Sequence, residues 1–334
     1  MDRPIKPTDS ATRAWVRALS RARLRNYRSF FGAVDDAEVL GLYRWSNDLS
    51  AGLLSTIFLV EVVLRNGFHH ALSRRYGAVG AKESKDWYEY VALDEQARSR
   101  IIGITHYKRG QRMVLRVPSP SPDDVVSRLM FGFRPHLLDL KKDLVGNHVD
   151  WGSILVDVLP GHRQRQASYW AKQKHRDALF ARLDLCNELR NRIAHHEPVW
   201  KLGPLMKEGR PRRGVPQTIE APAPATPAEA LARLGLLYGR VIELLGWLAP
   251  DIAADHRRSH EHLRCLHLLR LETLNAYRQR LPPMEIDLAA MSNVGALLEA
   301  VRHAEGRQRH VVLKDGQRMI GQFTFAVDVE WAAC

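Results

Sequence analysis

Arg190, Asn191 and His195 fall in one short run, Glu188-Leu189-Arg190-Asn191-Arg192-Ile193-Ala194-His195-His196-Glu197-Pro198. A fixed cation, an amide and an imidazole are the groups needed to grip a phosphodiester and move a proton. A neutral His195 can take the proton of a ribose 2′-hydroxyl or return one to the leaving 5′-oxygen. Arg190 can bind the non-bridging phosphate oxygens bidentately and stabilise the charge that develops during attack. Asn191 can orient the imidazole or hydrogen-bond the phosphate. The nearby cations Arg190 and Arg192 favour a neutral imidazole and so the base role.

The run must be carried by a helix for this chemistry to hold together. Each helical residue turns by about 100°, which places Arg190, Asn191 and His195 within an arc of roughly 140°. Asn191 and His195, four apart, are direct neighbours. Pro198 disfavours helical geometry at Glu197, so His195 sits in the terminal turn and stays accessible. The periodicity predicts this helix from about Ser168 to His195. Other readings of the same residues stay open. Glu188 and Arg192 are spaced for an ordinary ion pair, and a histidine near a helix C-terminus is favoured by the dipole alone. His195-His196-Glu197 is a poor metal site, because adjacent histidines point to different helix faces and no second cluster supplies ligands.

Composition bounds the partners. The 334 residues carry a formal charge of +13 and a pI near 9.9, which favours polyanions or an acidic protein. The three cysteines, Cys186, Cys265 and Cys334, form no disulfide framework and point to a reducing, cytoplasmic setting. No signal peptide is evident. The longest apolar stretch, 51–64, is shorter than the roughly twenty residues a membrane helix needs, and it contains Glu61, so a buried core helix is expected rather than a membrane span.

Helical periodicity dominates the rest. Residues 10–30 read as one amphipathic helix with a basic outer face, and a long helix is expected from Asp36 to about Arg75. A helix should start near Asp94 and another at Ser121-Pro122-Asp123-Asp124, where serine caps and proline suits the first position. Residues 203–227 lack periodicity and read as an exposed or disordered insertion. Helical pattern returns at 227–249 and from about Asp255 to Arg280. Segment 284–334 reads as a small α+β appendage: a helix over 290–304, strands at His310–Leu313 and Met319–Val329, and a turn at Asp315-Gly316. This divides the chain into a basic N-terminal helix (1–35), a helical domain (36–283) and the appendage.

Two further patterns bear on binding. Glu61-Val62-Val63-Leu64-Arg65-Asn66-Gly67-Phe68-His69-His70 echoes the Glu188–His196 run, with Arg65 and Asn66 as candidates for a second phosphate-contacting set. The alternative is a plain Glu61–Arg65 pair on a core helix. His162–Arg176 is basic and free of acids, with Arg163, Arg165, Lys172, Lys174 and Arg176 interleaved with Tyr169 and Trp170. That mixture suits phosphate contact with base stacking, which favours single-stranded loops.

Arg190-Asn191-x-x-x-His195, followed by His196-Glu197-Pro198, resembles the Arg-x4–6-His signature of the HEPN superfamily of helical ribonucleases. The wider order is similar to its Abi-like (abortive infection) branch. Tyr43-x-Trp45-x-Asn47-x-Leu49-Ser50 leads to Glu61-x-x-Leu64-Arg65-Asn66, then Leu129-x-Phe131-Gly132-Phe133, the run above, and Gly246-Trp247-Leu248-Ala249-Pro250. The resemblance spans roughly 36–255. Arg134 stands where the family's aromatic tetrad has tryptophan, and the insertion after Trp200 lies outside the pattern.

The resemblance implies a mainly α, HEPN-like bundle and metal-independent RNA cleavage without a cofactor. It also implies phage-defence or toxin behaviour under an antitoxin or inhibitor, and a homodimer whose motifs face one another. The target class is RNA, including tRNA and other single-stranded loops. It assigns Arg190, Asn191 and His195 as catalytic, with His196 in reserve. The competing expectations are a non-catalytic RNA-binding or regulatory protein on the same scaffold, and a helical module for an acidic protein partner.

Overall fold

A computed structural model describes residues 10–81, 83–129, 137–211, 214, 216–279, 284–291, 293–306 and 311–323. The protein is mainly α. Its organising element is α3, Asp36–Ser73, which is apolar along most of its length and around which the other helices assemble. Asp35 caps it through the Glu38 amide at 2.8 Å, and Asp36 and Glu38 face the positive end of its dipole. By length and composition this helix could cross a membrane. Leu42, Trp45, Leu49 and Leu64 are fully buried in the core, while Phe58 and Val62 on the same helix are exposed.

The N-terminal segment breaks in two, α1 (Ser10–Leu19) and α2 (Arg21–Phe31), where the sequence suggests one helix. Ser20 adopts φ +68° at the junction, and its hydroxyl caps α2. The segment has no core of its own: Val16, Leu24, Tyr27 and Phe31 belong to the main apolar cluster. Helix α4 (Glu95–Thr105) starts as expected, capped by Asp94. It is followed by a hairpin of β1 (His106–Arg109) and β2 (Arg112–Leu115) that helical periodicity does not announce. Helix α5 (Pro122–Ser127) opens on a capping box formed by Ser121 and Asp124. The Phe131-Gly132-Phe133 segment and Arg134 lie outside the described residues.

After α6 (Trp151–Val158) the expected motif helix is interrupted. A single turn, α7 (Ala167–Trp170), precedes α8, Gln173–Ala194. The insertion contains a small hairpin, Leu205–Met206 with Ile219–Ala221. Helix α9 (Pro227–Leu248) has its own capping box at Thr226 and Glu229. The expected helix over 255–280 is three short ones, α10 (Pro250–Arg257), α11 (His260–Leu268) and α12 (Leu271–Arg278). They fold back on α3. The Trp45 indole donates to the Leu268 carbonyl at 2.8 Å, Tyr277 donates to Asp48 at 2.5 Å, and Arg278 to Glu38 at 2.9 Å. Gly41 permits the approach, since a Cβ there would lie 2.0 Å from the Tyr277 carbonyl oxygen.

Beyond 283 a second, small cluster forms around Ile286, Ala304 and Val311. Strand β3 (Met284–Asp287) pairs in parallel with β4 (Val311–Asp315) across helix α13 (Val294–Gly306), and β4 pairs antiparallel with β5 (Arg318–Phe323). The turn expected at Asp315-Gly316 falls one residue later: Asp315 still pairs with Arg318, and Gly316 supplies the positive φ of +60°.

Candidate functional site

The Asn191–Pro198 segment ends helix α8 in a Schellman motif. The His196 amide donates to the Ile193 carbonyl at 2.9 Å and the Glu197 amide to the Arg192 carbonyl at 2.8 Å. That geometry requires a left-handed residue at the first position beyond the cap. The position is normally glycine, but here it is His196, with φ +54°. A side chain held there costs on the order of 1–2 kcal/mol. Pro198, two residues on, prevents the helix from resuming.

His195 is the cap residue and is exposed; its amide bonds the Asn191 carbonyl at 2.9 Å. His196 is also exposed. Its carbonyl accepts from the Arg23 guanidinium at 2.9 Å, so the basic α2 reaches the end of the motif helix. Trp200, buried at the root of this loop, stacks on Phe30 at 4.8 Å between ring centroids and meets Tyr27 and Phe31 edge-on.

One face of α8 opens on a cleft of about 610 Å³. Asp184, Glu188, Asn191 and His195 line its wall, at helical spacings that put them on one stripe. Glu188 reaches solvent, yet crowding at the wall and the neighbouring Asp184 push its carboxyl above the usual range, with Arg192 opposing them. The expected Glu188–Arg192 pair does not form. Arg192 instead donates to the Lys201 carbonyl at 2.7 Å and lies 3.9 Å from Glu197.

Arg190 lies off that stripe and does not line the cleft, because it is rotated by about 100° from Asn191. The sequence arc brings the three side chains onto neighbouring faces rather than one wall. Arg190 has no ion pair among the described residues. Its Nη1 lies 3.4 Å from the Asn191 side-chain oxygen, and its buried Nε has no hydrogen-bond partner.

The opposite wall is the insertion. Leu205, Met206 and Lys207 line it; most of the insertion's described residues are exposed, as its composition suggests, but it is pinned by ion pairs rather than free. Arg182, 8% exposed on α8, bonds Glu208 of the insertion and Glu243 of α9, each at 2.6 Å. Burial opposes its charge, but the bonds to both carboxylates outweigh that and raise its pKa. Arg210 pairs with Asp139 and lies 4.2 Å over the Phe180 ring. Sequence reasoning missed Arg182. The available signal was an arginine among Leu179, Leu183 and Cys186 on the buried stripe of α8, which demands acidic partners elsewhere.

The basic segment His162–Arg176 is divided in role. Arg163, Lys172 and Lys174 are exposed. Arg176 instead closes the α7–α8 junction, donating to the carbonyls of Trp170 at 2.9 Å and Ala171 at 2.6 Å, and Arg165 donates to the Pro160 carbonyl. Trp170, expected among the base-stacking rings, is 2% exposed and donates to the Gln164 carbonyl, so its ring is occupied by the core. Tyr169 is half-buried and stacks on His175 at 3.6 Å.

The second echo is placed apart in function. Arg65 donates to the Ser127 carbonyl at 3.1 Å and Asn66 is exposed. Among the described residues no hydrogen bond or ion pair joins either to Arg190, Asn191 or His195. His69 is buried: its Nδ1 accepts from the Trp87 indole and its Nε2 bonds Ser84, both at 3.0 Å. Among the described residues no group of three or more His, Cys, Asp or Glu is placed to hold a metal ion. No family model matches the chain, and no curated protein or solved structure is significantly similar to it.

Proposed function

We propose that the protein is a metal-independent endoribonuclease of HEPN type, acting in the cytoplasm as a phage-defence or toxin protein. The observation that carries this reading is the Arg190 guanidinium: half-buried and, among the described residues, with no ion pair and a hydrogen bond only to Asn191. A buried donor without a partner costs stability unless a ligand satisfies it, and a phosphodiester oxygen would do so. Asn191 continues from this cation onto the cleft wall, where the exposed His195 can exchange a proton with a ribose 2′-hydroxyl. The left-handed backbone at His196 adds support, since strain of this kind gathers at functional sites.

In this mechanism Arg190 binds the non-bridging oxygens and Asn191 holds the phosphate or the imidazole. His195 removes the 2′-proton, and attack on phosphorus expels the 5′-oxygen to leave a cyclic phosphate. His196 remains the reserve histidine. A homodimer is part of the proposal: Arg190, outside the cleft wall, would serve a site shared between copies.

Total RNA incubated with the protein in excess EDTA should be cleaved. Cleavage should vanish in His195→Ala while the circular dichroism spectrum is kept. RNA binding without cleavage in either protein would favour the non-catalytic RNA-binding reading, and no salt-sensitive RNA binding at all would leave only an acidic protein partner. Light scattering that shows a monomer, with activity linear in protein concentration, would remove the shared-site element. Sequencing RNA ends after induced expression identifies the RNA that is cut.

A further inference from the structure

A second cavity, about 430 Å³, lies beside the cleft and shares Glu208 with it as a common wall. Its size falls in the range, roughly 300–1,000 Å³, that small-ligand sites occupy. His162, Tyr169, Trp170, His175 and Trp247 bring rings to its lining. Trp247 meets the His162 ring edge-on at 4.7 Å, and Tyr169 lies 6.0 Å from the same ring.

Two polar groups in the lining are not satisfied by the protein. His162 is 7% exposed, and its Nδ1 accepts from the Gln164 amide at 3.0 Å. Nδ1 also lies 3.4 Å from the Gln164 carbonyl; the shorter contact favours the proton on Nε2, which makes no hydrogen bond among the described residues. Glu243, 54% exposed, gives Oε2 to Arg182, and its Oε1 accepts no bond among the described residues. The cavity therefore offers an imidazole nitrogen and a carboxylate oxygen beside aromatic rings. Arg163, exposed and without an ion pair among the described residues, stands at the same cavity.

We propose that this cavity binds one unstacked nucleobase, with its attached phosphate toward Arg163. Tyr169 is stacked on His175 and Trp247 lies under Arg182 at 4.9 Å, so each would offer the base its other face. The His162 Nε2–H donates to a ring nitrogen or exocyclic oxygen, and Glu243 accepts from an amino or imino N–H. The base belongs either to a free nucleotide or to a nucleotide of a single strand, whose next phosphate would pass the shared Glu208 wall toward His195. The inference extends the ribonuclease reading but does not depend on catalysis.

The test is calorimetric titration of the full chain with each of the four nucleoside 5′-monophosphates and with a single-stranded decadeoxynucleotide, which has no 2′-hydroxyl to be cut. At least one monophosphate should bind saturably. Tyr169→Ala and Glu243→Gln should each weaken it about tenfold or more, with melting temperatures near that of the parent, while Tyr169→Phe keeps it. Displacement of the oligonucleotide by the monophosphate assigns the base to a strand, and independent binding assigns it to a free nucleotide. Failure of every monophosphate to saturate, or affinities unchanged in both weakening variants, overturns the proposal. Because both probes resist cleavage, that failure would leave the ribonuclease reading standing, and absence of RNA cleavage would leave this site standing.

Discussion

Acid should unfold this protein through a buried histidine pair, and His262→Gln should remove much of that sensitivity. His262 accepts from or donates to the Tyr238 hydroxyl at 2.9 Å, and His256 meets Thr56 at 3.1 Å in the same buried network. Burial, then the neighbouring His256 and Arg257, depress the His262 pKa from 6.5 to about 4. The folded state therefore holds this imidazole neutral, whereas the unfolded chain protonates it below about pH 6.5. The stability it protects is fully present above pH 6.5 and is lost as pH falls toward 4. Linkage gives about 2 kcal/mol lost between pH 7 and pH 4.5 for a shift of that size. Urea unfolding at constant ionic strength across this range should show the parent losing that much more than His262→Gln. Glutamine keeps a hydrogen bond for Tyr238 but does not titrate. His256, lowered chiefly by burial with Glu261 and Asp255 opposing, and His69, also lowered by burial, add to the slope in both proteins. Identical pH slopes for parent and variant would refute the reasoning.

Other outcomes follow from single contacts. Gly41→Ala should cost about 3 kcal/mol or more, read as a lower urea midpoint, since its Cβ would collide with the backbone of α12 rather than with a mobile side chain. His196→Gly should raise stability by about 1 kcal/mol by relieving the left-handed strain, and unchanged or lower stability would show that the loop is not strained there. Glu208→Gln weakens the bond to Arg182 and should speed limited proteolysis within 203–227, while equal rates would mean that Arg210 and Asp139 hold the insertion alone.

Local rules found the long elements and their starts. The apolar repeat of α3 and the caps at Asp35, Asp94 and Ser121 are encoded within a few residues of where they act. The breaks were hidden because they depend on partners distant in sequence. Ser20 splits the N-terminal helix so that α2 can lay Tyr27 and Phe31 against Trp200. The insertion has no periodicity because it is fixed from outside, by Arg182 from 26 residues away and Asp139 from 71. At the candidate site, spacing placed Asn191 and His195 on one wall. It did not reveal Arg23, the left-handed His196 or the second wall, all of which come from tertiary packing. Trp170 and Arg176 show the same limit from the other side: a basic and aromatic composition cannot distinguish a ring that faces solvent from one that closes a turn.

The contact between Arg23 and the His196 carbonyl spans 173 residues. As the chain is synthesised, α2 can pack early against Trp45, through Phe31. The Phe30 face must wait for Trp200 to emerge before it is covered. Closing so long a loop is entropically costly and slow compared with forming either helix. The end of the motif helix is thus completed late, after more than half of the chain has been made, and a nascent chain stopped before that point carries neither histidine.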